Sequence, residues 1–520
     1  MPTTFRLRIG ACACLLALAA CTTGPNFRTP DTPVPLASLA SAPGVHASDG
    51  AAKAGETTPS RLVKRAVDPA WWALFKDPVL SALEREALDA NLDLRAAATR
   101  LAQSRAALRV SGAALLPSVN ANASGLRERA SATGIMALGG TSEPISATAA
   151  NGADPFGTAT SENGPGSPPF SLWQAGFDAS WELDLWGRAR RMRESAAAEL
   201  DAAHYDAQAV RVSVGAEVAR TYLLLRGVQT ALRIARDNTG IAEKSLHVAE
   251  RRRQQGVATQ LDTSLSASQL ASFEAAIPEL EHRQQALKNA LALLLAKAPH
   301  ALDAQLAGGG EVPALPAEVP VGLPSQLAQR RPDILRAEAR LHAATAAIGA
   351  AKADFYPSVS LTGSFGFQSL SFSDVGAWDG RQFAFGPVLH LPIFDGGRLA
   401  GKLALSEARQ QEAALHYQRT VLGAWHEVDD ALGAYRAVQL RDARLAVALG
   451  QNRQALASAQ RRYTQGAADY LNVLVTQQRL LDSENAVAKS RTEMALAMVA
   501  LYKALGGGWD AAPAPAGRQP

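Results

Sequence analysis

Cys21 is the one thiol in this 520-residue chain placed for chemistry. It closes Leu18-Ala19-Ala20-Cys21, directly behind an apolar stretch, Ile9 to Ala20, that follows Arg6 and Arg8. A short apolar run behind a positive start is a secretory signal, too short to remain as a stop-transfer span. The other two cysteines, Cys12 and Cys14, lie inside that signal, so the mature chain carries no pair for a disulfide. Gly396-Gly397-Arg398-Leu399-Ala400-Gly401-Lys402 has the spacing of a phosphate loop. Such a loop needs a Ser or Thr after the Lys to hold magnesium, and Leu403 stands there. The nine histidines show no metal-ligand spacing. No nucleophile–base set or carboxylate pair marks an active site. The expectation is therefore no catalytic residue, no metal, no cofactor and no enzyme.

Leu18-Ala19-Ala20-Cys21 resembles the lipobox of bacterial lipoproteins. That resemblance implies acylation of Cys21, palmitate included, after cleavage of residues 1–20. Thr22, rather than an aspartate, implies sorting to the outer membrane. Several acyl chains on one residue anchor stably where one does not. Losing Arg6 and Arg8 takes the formal charge from +4 to +2, which gives no reason to expect nucleic acid. The mature sequence holds no apolar run long enough for a transmembrane helix. If it crosses a membrane, it must do so as a closed β-barrel, because an open sheet edge cannot be satisfied in lipid.

The elements that would build such a wall occur twice. Asp184-Leu185-Trp186-Gly187-Arg188 answers Phe394-Asp395-Gly396-Gly397-Arg398, and Arg251-Arg252-Arg253-Gln254-Gln255-Gly256 answers Arg461-Arg462-Tyr463-Thr464-Gln465-Gly466. The offset is about 210 residues from Gly187 to Leu270 and about 240 at Pro117 and Pro357, so the extra length lies between Pro117 and Gly187. Four stretches alternate apolar and polar residues: about 117–127, 171–186, 357–368 and 382–394. Each reads as a strand long enough to span a bilayer when tilted. Trp173, Trp181 and Phe383 on the apolar side suit an interfacial girdle. A soluble sheet with one face on a core is the other reading of the same pattern. Four strands cannot close a barrel alone, since single-chain barrels start at about eight, so partner chains are needed. The polar loop 127–170 carries the extra residues and reads as a surface loop.

Each hairpin leads through a corner, Gly187-Arg188 or Gly397-Arg398, into a helical pattern of nearly 70 residues, about 100 Å of helix. Asn238-Thr239-Gly240 is a weak point within the first. Gly256 and Gly466 reverse the chain, and second helices run from about 261 to 297 and from about 470 to 505. The spacing of Val218, Tyr222 and Leu225 is coiled-coil-like. The domain reading is: 1–20 signal; 21–70 lipid-anchored extended segment; 71–300 first repeat; 301–330 connector; 331–506 second repeat; 507–520 disordered tail. The fold class is mainly α with a transmembrane β portion, in two tandem repeats of helix, β-hairpin and long helices.

The chain resembles the outer membrane factor lipoproteins of tripartite efflux systems, the TolC-like channels, in their NodT-type subgroup. The carriers are Cys21-Thr22-Thr23-Gly24-Pro25-Asn26-Phe27, Trp71-Trp72-Ala73-Leu74-Phe75-Lys76-Asp77-Pro78, Gly322-Leu323-Pro324-Ser325 through Arg330-Arg331-Pro332-Asp333-Ile334, Phe355-Tyr356-Pro357-Ser358-Val359, and Tyr463-Thr464-Gln465-Gly466 with Tyr470-Leu471-Asn472-Val473-Leu474. The resemblance implies a homotrimer with a twelve-stranded β-barrel in the outer membrane and an α-helical barrel in the periplasm. It implies a periplasmic adaptor and an inner-membrane resistance–nodulation–division pump as partners. It makes the helix reversals the periplasmic tips that close the pore and meet the adaptor: Arg252, Gln255, Gly256 and Val257, with Arg462, Tyr463, Gln465, Gly466 and Ala467. Relatives carry acids after Val-Leu in the second tip, where this chain has Val475, with Asn472 nearby. Asp262 or Asp469 stands in as the acid, or the constriction is apolar near Leu474. The implied function is an exit duct passively passing small toxic compounds or drugs. The alternatives are the duct of a type I protein-secretion system and a lipid-anchored coiled-coil scaffold without a pore.

Overall fold

The computed structural model describes residues 22–30, 60–63, 65, 67–129, 169–321 and 330–509. The signal, Cys21, most of the loop 127–170, connector residues 322–329 and residues 510–520 lie outside the described residues. The chain forms two compact units, each drawing on both repeats. One takes Leu108–Glu194, Ala346–Glu407 and the N-terminal residues through Asn26; the other takes Phe27–Ala107, Ser195–Thr345 and Ala408 onward.

The first unit holds the sheet. Strands β2 (Ser118–Glu128), β3 (Phe170–Leu183), β5 (Ser358–Ser369) and β6 (Arg381–His390) form one antiparallel sheet in the order β2-β3-β5-β6. The two hairpins thus join through β3 and β5, one from each repeat. Two of the alternating stretches end sooner than their pattern. β3 stops at Leu183 rather than 186, where the Leu185 N–H turns back to the Leu183 carbonyl (2.8 Å). β6 stops at His390 rather than 394, since Pro392 has no N–H for a ladder and Gly396 and Gly397 turn the chain at positive φ.

The second unit holds the core. Strand β1 (Arg61–Val63) pairs in parallel with β4 (Glu318–Pro320). Residues 61–63 and 318–320, read as tether and connector, are therefore an ordered two-stranded ladder. Helix α1 (Pro78–Ala90) starts at Asp77, whose Oδ1 accepts from Val79 and Leu80 N–H, with Pro78 at the first turn. Helix α2 (Leu92–Ala113) follows from Asn91. Helices α3 (Arg188–Gln254) and α4 (Gln260–Leu294) recur as α6 (Arg398–Thr464) and α7 (Tyr470–Ala504), and α5 (Pro332–Ala353) precedes β5. α3 does not break at 238–240: Asn238 Nδ2 and Thr239 Oγ1 donate to the carbonyls of Ile234 and Ala235, satisfying the polar side chains within the helix.

The largest cluster packs Trp71, Trp72 and Phe75 with Leu80 and Leu83 of α1, Val218, Tyr222 and Leu225 of α3, Leu291 of α4, and Met498, Leu501 and Tyr502 of α7. Trp71 stacks on Tyr502 at 5.3 Å. The ordered chain also runs past 506. Trp509 Nε1 donates to the Arg330 carbonyl (2.9 Å), and Arg211 Nε donates to that of Gly508 (3.1 Å), so the tail read as disordered from 507 is fixed through Trp509.

Candidate functional site

In the sheet, register decides which face each side chain takes. Ser118 pairs with Ser180, Trp173 with Ser369 and Ser358 with His390, so odd residues always oppose odd and even oppose even. The odd face carries Val119, Trp173, Phe177, Trp181, Leu361, Phe365, Phe383, Phe385 and Leu389; the even face carries Ser118, Asn120, Asn122, Gln174, Ser358, Ser360, Thr362 and Ser364. The apolar face is uncovered in the single chain: Phe385 is 84% exposed and Phe177 59%. From Trp173 to Leu183 is about ten residues, ~34 Å along the strand. At a tilt of ~40° that projects to about 26 Å, close to the apolar height of outer-membrane barrels. Trp173 stands near the loop end, edge-on to Phe372 at 5.0 Å. Trp181 stands near the helix end, its indole N–H on the Leu115 carbonyl (3.0 Å). Among the described residues β2 and β6 each have one neighbour, so the sheet ends in two unpaired edges. Among the described residues, no helix is long and apolar enough to cross a membrane.

The strand–helix corners are built by carboxylates. Gly187 (φ +82°) and Gly397 (φ +87°) make the turn in a conformation that costs a side chain energy. Asp184 then caps α3, accepting from the Ala189 and Arg190 N–H groups at 3.0 and 2.9 Å. Asp395 caps α6 from Gly397 and Leu399 at 3.0 and 2.9 Å. The two corners differ in charge. Arg188 forks onto Glu182 (3.1 and 2.8 Å), which holds the guanidinium above its usual pKa. The repeat position of Glu182 is Pro392, so among the described residues Arg398 pairs with Asp395 alone, at 3.9 Å, and stays 67% exposed. A cavity of about 310 Å³ between the corners is lined by Glu182, Asp184, Arg188, Asp354, His390 and Lys402 among others, and Lys402 pairs with Asp354.

Residues 22–26 dock at the first corner. Thr23 N–H and Oγ1–H both donate to the Trp186 carbonyl (3.1 and 3.0 Å). Arg191 donates to the Thr23 carbonyl (3.1 Å) and to Asn26 Oδ1 (2.7 Å) while pairing with Glu194 (2.8 Å). Trp186 in turn stacks on Tyr356 (4.7 Å) and donates to the Pro357 carbonyl (2.8 Å).

The helix reversals are two copies of one cap. Val257 N–H reaches the Arg252 carbonyl and Gly256 N–H that of Arg253; Ala467 and Gly466 repeat this on Arg462 and Tyr463. That is a Schellman closure, with Gly256 (φ +72°) and Gly466 (φ +73°) at the left-handed position and Gln255 and Gln465 just before it. The Arg252 guanidinium lies 4.3 Å over the Tyr463 ring, and Tyr463 meets Tyr470 at 5.2 Å. Asp262 is committed to a capping box with Thr259, its Oδ2 accepting from Thr259 N–H (2.8 Å). Asp469 precedes α7 with its side chain making no cap bond, and is exposed. Leu474 does not face outward as an apolar constriction would require. It is buried with Tyr470 and Val473 against Leu265 and Leu456, because its position falls on the inward stripe of α7; Leu471, Asn472 and Val475 are the exposed residues there.

Two buried ionisable groups escaped reading from spacing. Arg331 bonds Asp333 (3.0 and 2.7 Å), Glu427 (2.7 Å) and the Ala504 carbonyl (2.8 Å). Burial opposes its charge, but the two carboxylates outweigh that and hold its pKa above the usual value. Glu84 is fully buried on α1, facing Gly215 of α3, with neither oxygen at bonding geometry to a partner. Burial pushes its pKa well above 4.5, and the nearby Ala219 N–H offsets this in part. No group of metal-ligating residues occurs among the described residues.

Comparison with known proteins agrees with these surfaces. Residues 83–297 and 323–507 match the family described as "Outer membrane efflux protein". The chain is 34% identical over 507 residues to the outer membrane protein OprJ of Pseudomonas aeruginosa, covering 96% of each. It is 32% identical to the toluene efflux pump outer membrane protein TtgC of Pseudomonas putida, over 95% of this chain and 93% of that one. Among solved structures, the outer-membrane channel OprN superposes with a TM-score of 0.79 at 32% identity, covering 94% of this chain and all of that one.

Proposed function

The chain belongs to the outer membrane efflux protein family, and from that premise we propose that three copies close a twelve-stranded barrel through the outer membrane. The protein is an outer-membrane efflux channel. The observation that carries the trimeric reading is the sheet itself. Its odd residues make one continuous apolar face, its even residues one polar face, and both edges are unpaired. In lipid, the edges must be closed by more strands, and copies of the same sheet supply matching ones. The apolar face then meets acyl chains and the polar face lines water. The long helices α3 and α6, with α4 and α7, form the periplasmic helical barrel.

In this reading the channel is a conduit, not an enzyme, and energy comes from an inner-membrane pump of the resistance–nodulation–division type. A periplasmic adaptor meets the tips at Arg252, Gln255, Gly256, Arg462, Tyr463, Gln465 and Gly466, which also gate the pore, with Asp469, Asn472 and Val475 exposed beside them. Cys21 carries the lipid, and the bonds from Thr23 to Trp186 support an anchor seated at the strand–helix corner. The cargo is small toxic compounds or drugs; the relative TtgC is named for toluene.

Deleting the gene and scoring drug and solvent susceptibility, with secreted proteins measured in parallel, tests this. Increased susceptibility with unchanged secretion is expected. Unchanged susceptibility with a lost secreted protein would replace the drug duct by a protein-secretion duct. Cross-linking of the purified full chain in detergent should give trimers; a monodisperse monomer would sink the closed barrel.

A further inference from the structure

We propose that Asp178 sets the charge preference of the pore from inside the membrane, making the barrel favour cations over anions. The inference rests on the reading above, in which the even face lines the water-filled interior. On that face the four strands carry Glu128, Asp178, Glu182 and His390 and no Lys or Arg; the basic strand residues Arg127 and Arg381 are both odd. Glu182 is neutralised by Arg188 at the helix end, and Glu128 is the last residue of β2 at the loop end. Asp178 is the charge in the middle, on a central strand.

Its surroundings hold the carboxylate without cancelling it. Asn120 Nδ2 donates to one oxygen (3.1 Å) and Asn122 Nδ2 to the other. Both are neutral donors, and no basic group among the described residues pairs with Asp178. Across the sheet its row reads Asn120, Asp178, Ser364, Ala384; the rows on either side hold Gly176 and Gly366, then Ser180, Thr362 and Gly386. With Asn122 and Gln382 completing those rows, every neighbour is uncharged and none offsets the carboxylate. Two Asn side-chain N–H donors fix its position, so repeated around a closed barrel it forms a ring of fixed negative charge. Rings of acids select cations, and low-dielectric walls concentrate their field.

The tips offer less. Positions 472 and 475 are Asn and Val, and Asp262 is bound into its capping box, which leaves Asp469 as the rival acid. The experiment is the reversal potential of the purified full chain in planar bilayers of neutral lipid under a tenfold KCl gradient. Wild type should prefer K⁺ over Cl⁻ by about threefold or more, and Asp178→Asn should bring the ratio near one. Asp178→Lys should invert it. A conducting Asp178→Asn pore with an unchanged ratio overturns the proposal, as does loss of preference in Asp469→Asn alone. A protein that conducts neither as wild type nor with its tips opened by substitution at Arg252 and Arg462 overturns the channel reading beneath it, a result distinct from either.

Discussion

The Arg191 guanidinium reaches Asn26, 2.7 Å away and 165 residues earlier in the chain, and by doing so pins the residues that follow Cys21. The same group donates to the Thr23 carbonyl and pairs with Glu194. Its side chain is almost wholly buried, so removing it leaves several acceptors without a donor. Arg191→Ala should cost about 1–3 kcal/mol. Proteolysis within residues 22–30 should speed up more than at the tips. Arg191→Lys, a single-point donor without the fork, should recover part of the loss. Equal cleavage rates in wild type and Arg191→Ala would remove the docking role.

Parity in the sheet gives a paired test. Phe177 and Ser364 sit on adjacent strands but on opposite faces. Phe177→Lys places a charge on the lipid side and should cost about 2–4 kcal/mol of folding into vesicles near mid-bilayer. Ser364→Lys, on the water side, should change stability by less than about 1 kcal/mol. The measurement is the denaturant midpoint in lipid vesicles. Similar costs for the two would contradict the two-faced wall.

Asp262 and Asp469 begin the returning helices of the two repeats but do different work. Asp262→Ala breaks a capping box and should lose about 0.5–2 kcal/mol, visible as faster amide exchange over the first turn of α4. Asp469→Ala breaks no side-chain cap bond and should leave exchange over α7 within error. Exchange that speeds up equally in both would show that Asp469 caps its helix after all.

Glu84 makes stability depend on pH in the direction opposite to a salt-bridged acid. Its folded pKa lies above its ordinary 4.5, so the folded state holds the proton that the unfolded chain releases. The contribution is therefore favourable below about pH 4.5 and is lost as pH climbs toward the raised folded value. Glu84→Met, of similar size and without charge, should flatten the profile above pH 4.5 and gain about 1–4 kcal/mol at pH 7. A parallel pH profile in the variant would mean that Glu84 is ionised in the fold.

The strands, the long helices and both reversals were legible because each rests on a local signal: alternation, helical spacing, or glycine at a forced turn. Their boundaries mostly fell within a few residues. β6 ran short because Pro392 ends the ladder before the apolar alternation ends. The β1–β4 ladder was not legible. Three-residue strands some 250 residues apart carry no periodicity, and their pairing is fixed by the packing around Trp71 and Leu306. Trp509 was lost to composition: the stretch around it looks like a tail, and one indole with one carbonyl partner orders it. At the tips, spacing identified the turn but not which face each residue takes, which is why Leu474 was expected in the pore and lies in the packing. Arg191 and Arg331 needed their distant partners to be seen at all.

Matching odd with odd across all four strands has a consequence for how this protein can change. Any insertion between β2 and β3 leaves the pleat in phase, whatever its length, so residues can be added there without disturbing the pairing. A single residue added within β3 does the reverse. It would swing every side chain beyond it to the other side, bringing serines to the oil and phenylalanines to the water. The strands can drift in sequence but not in count, while the outer rim is free to diverge.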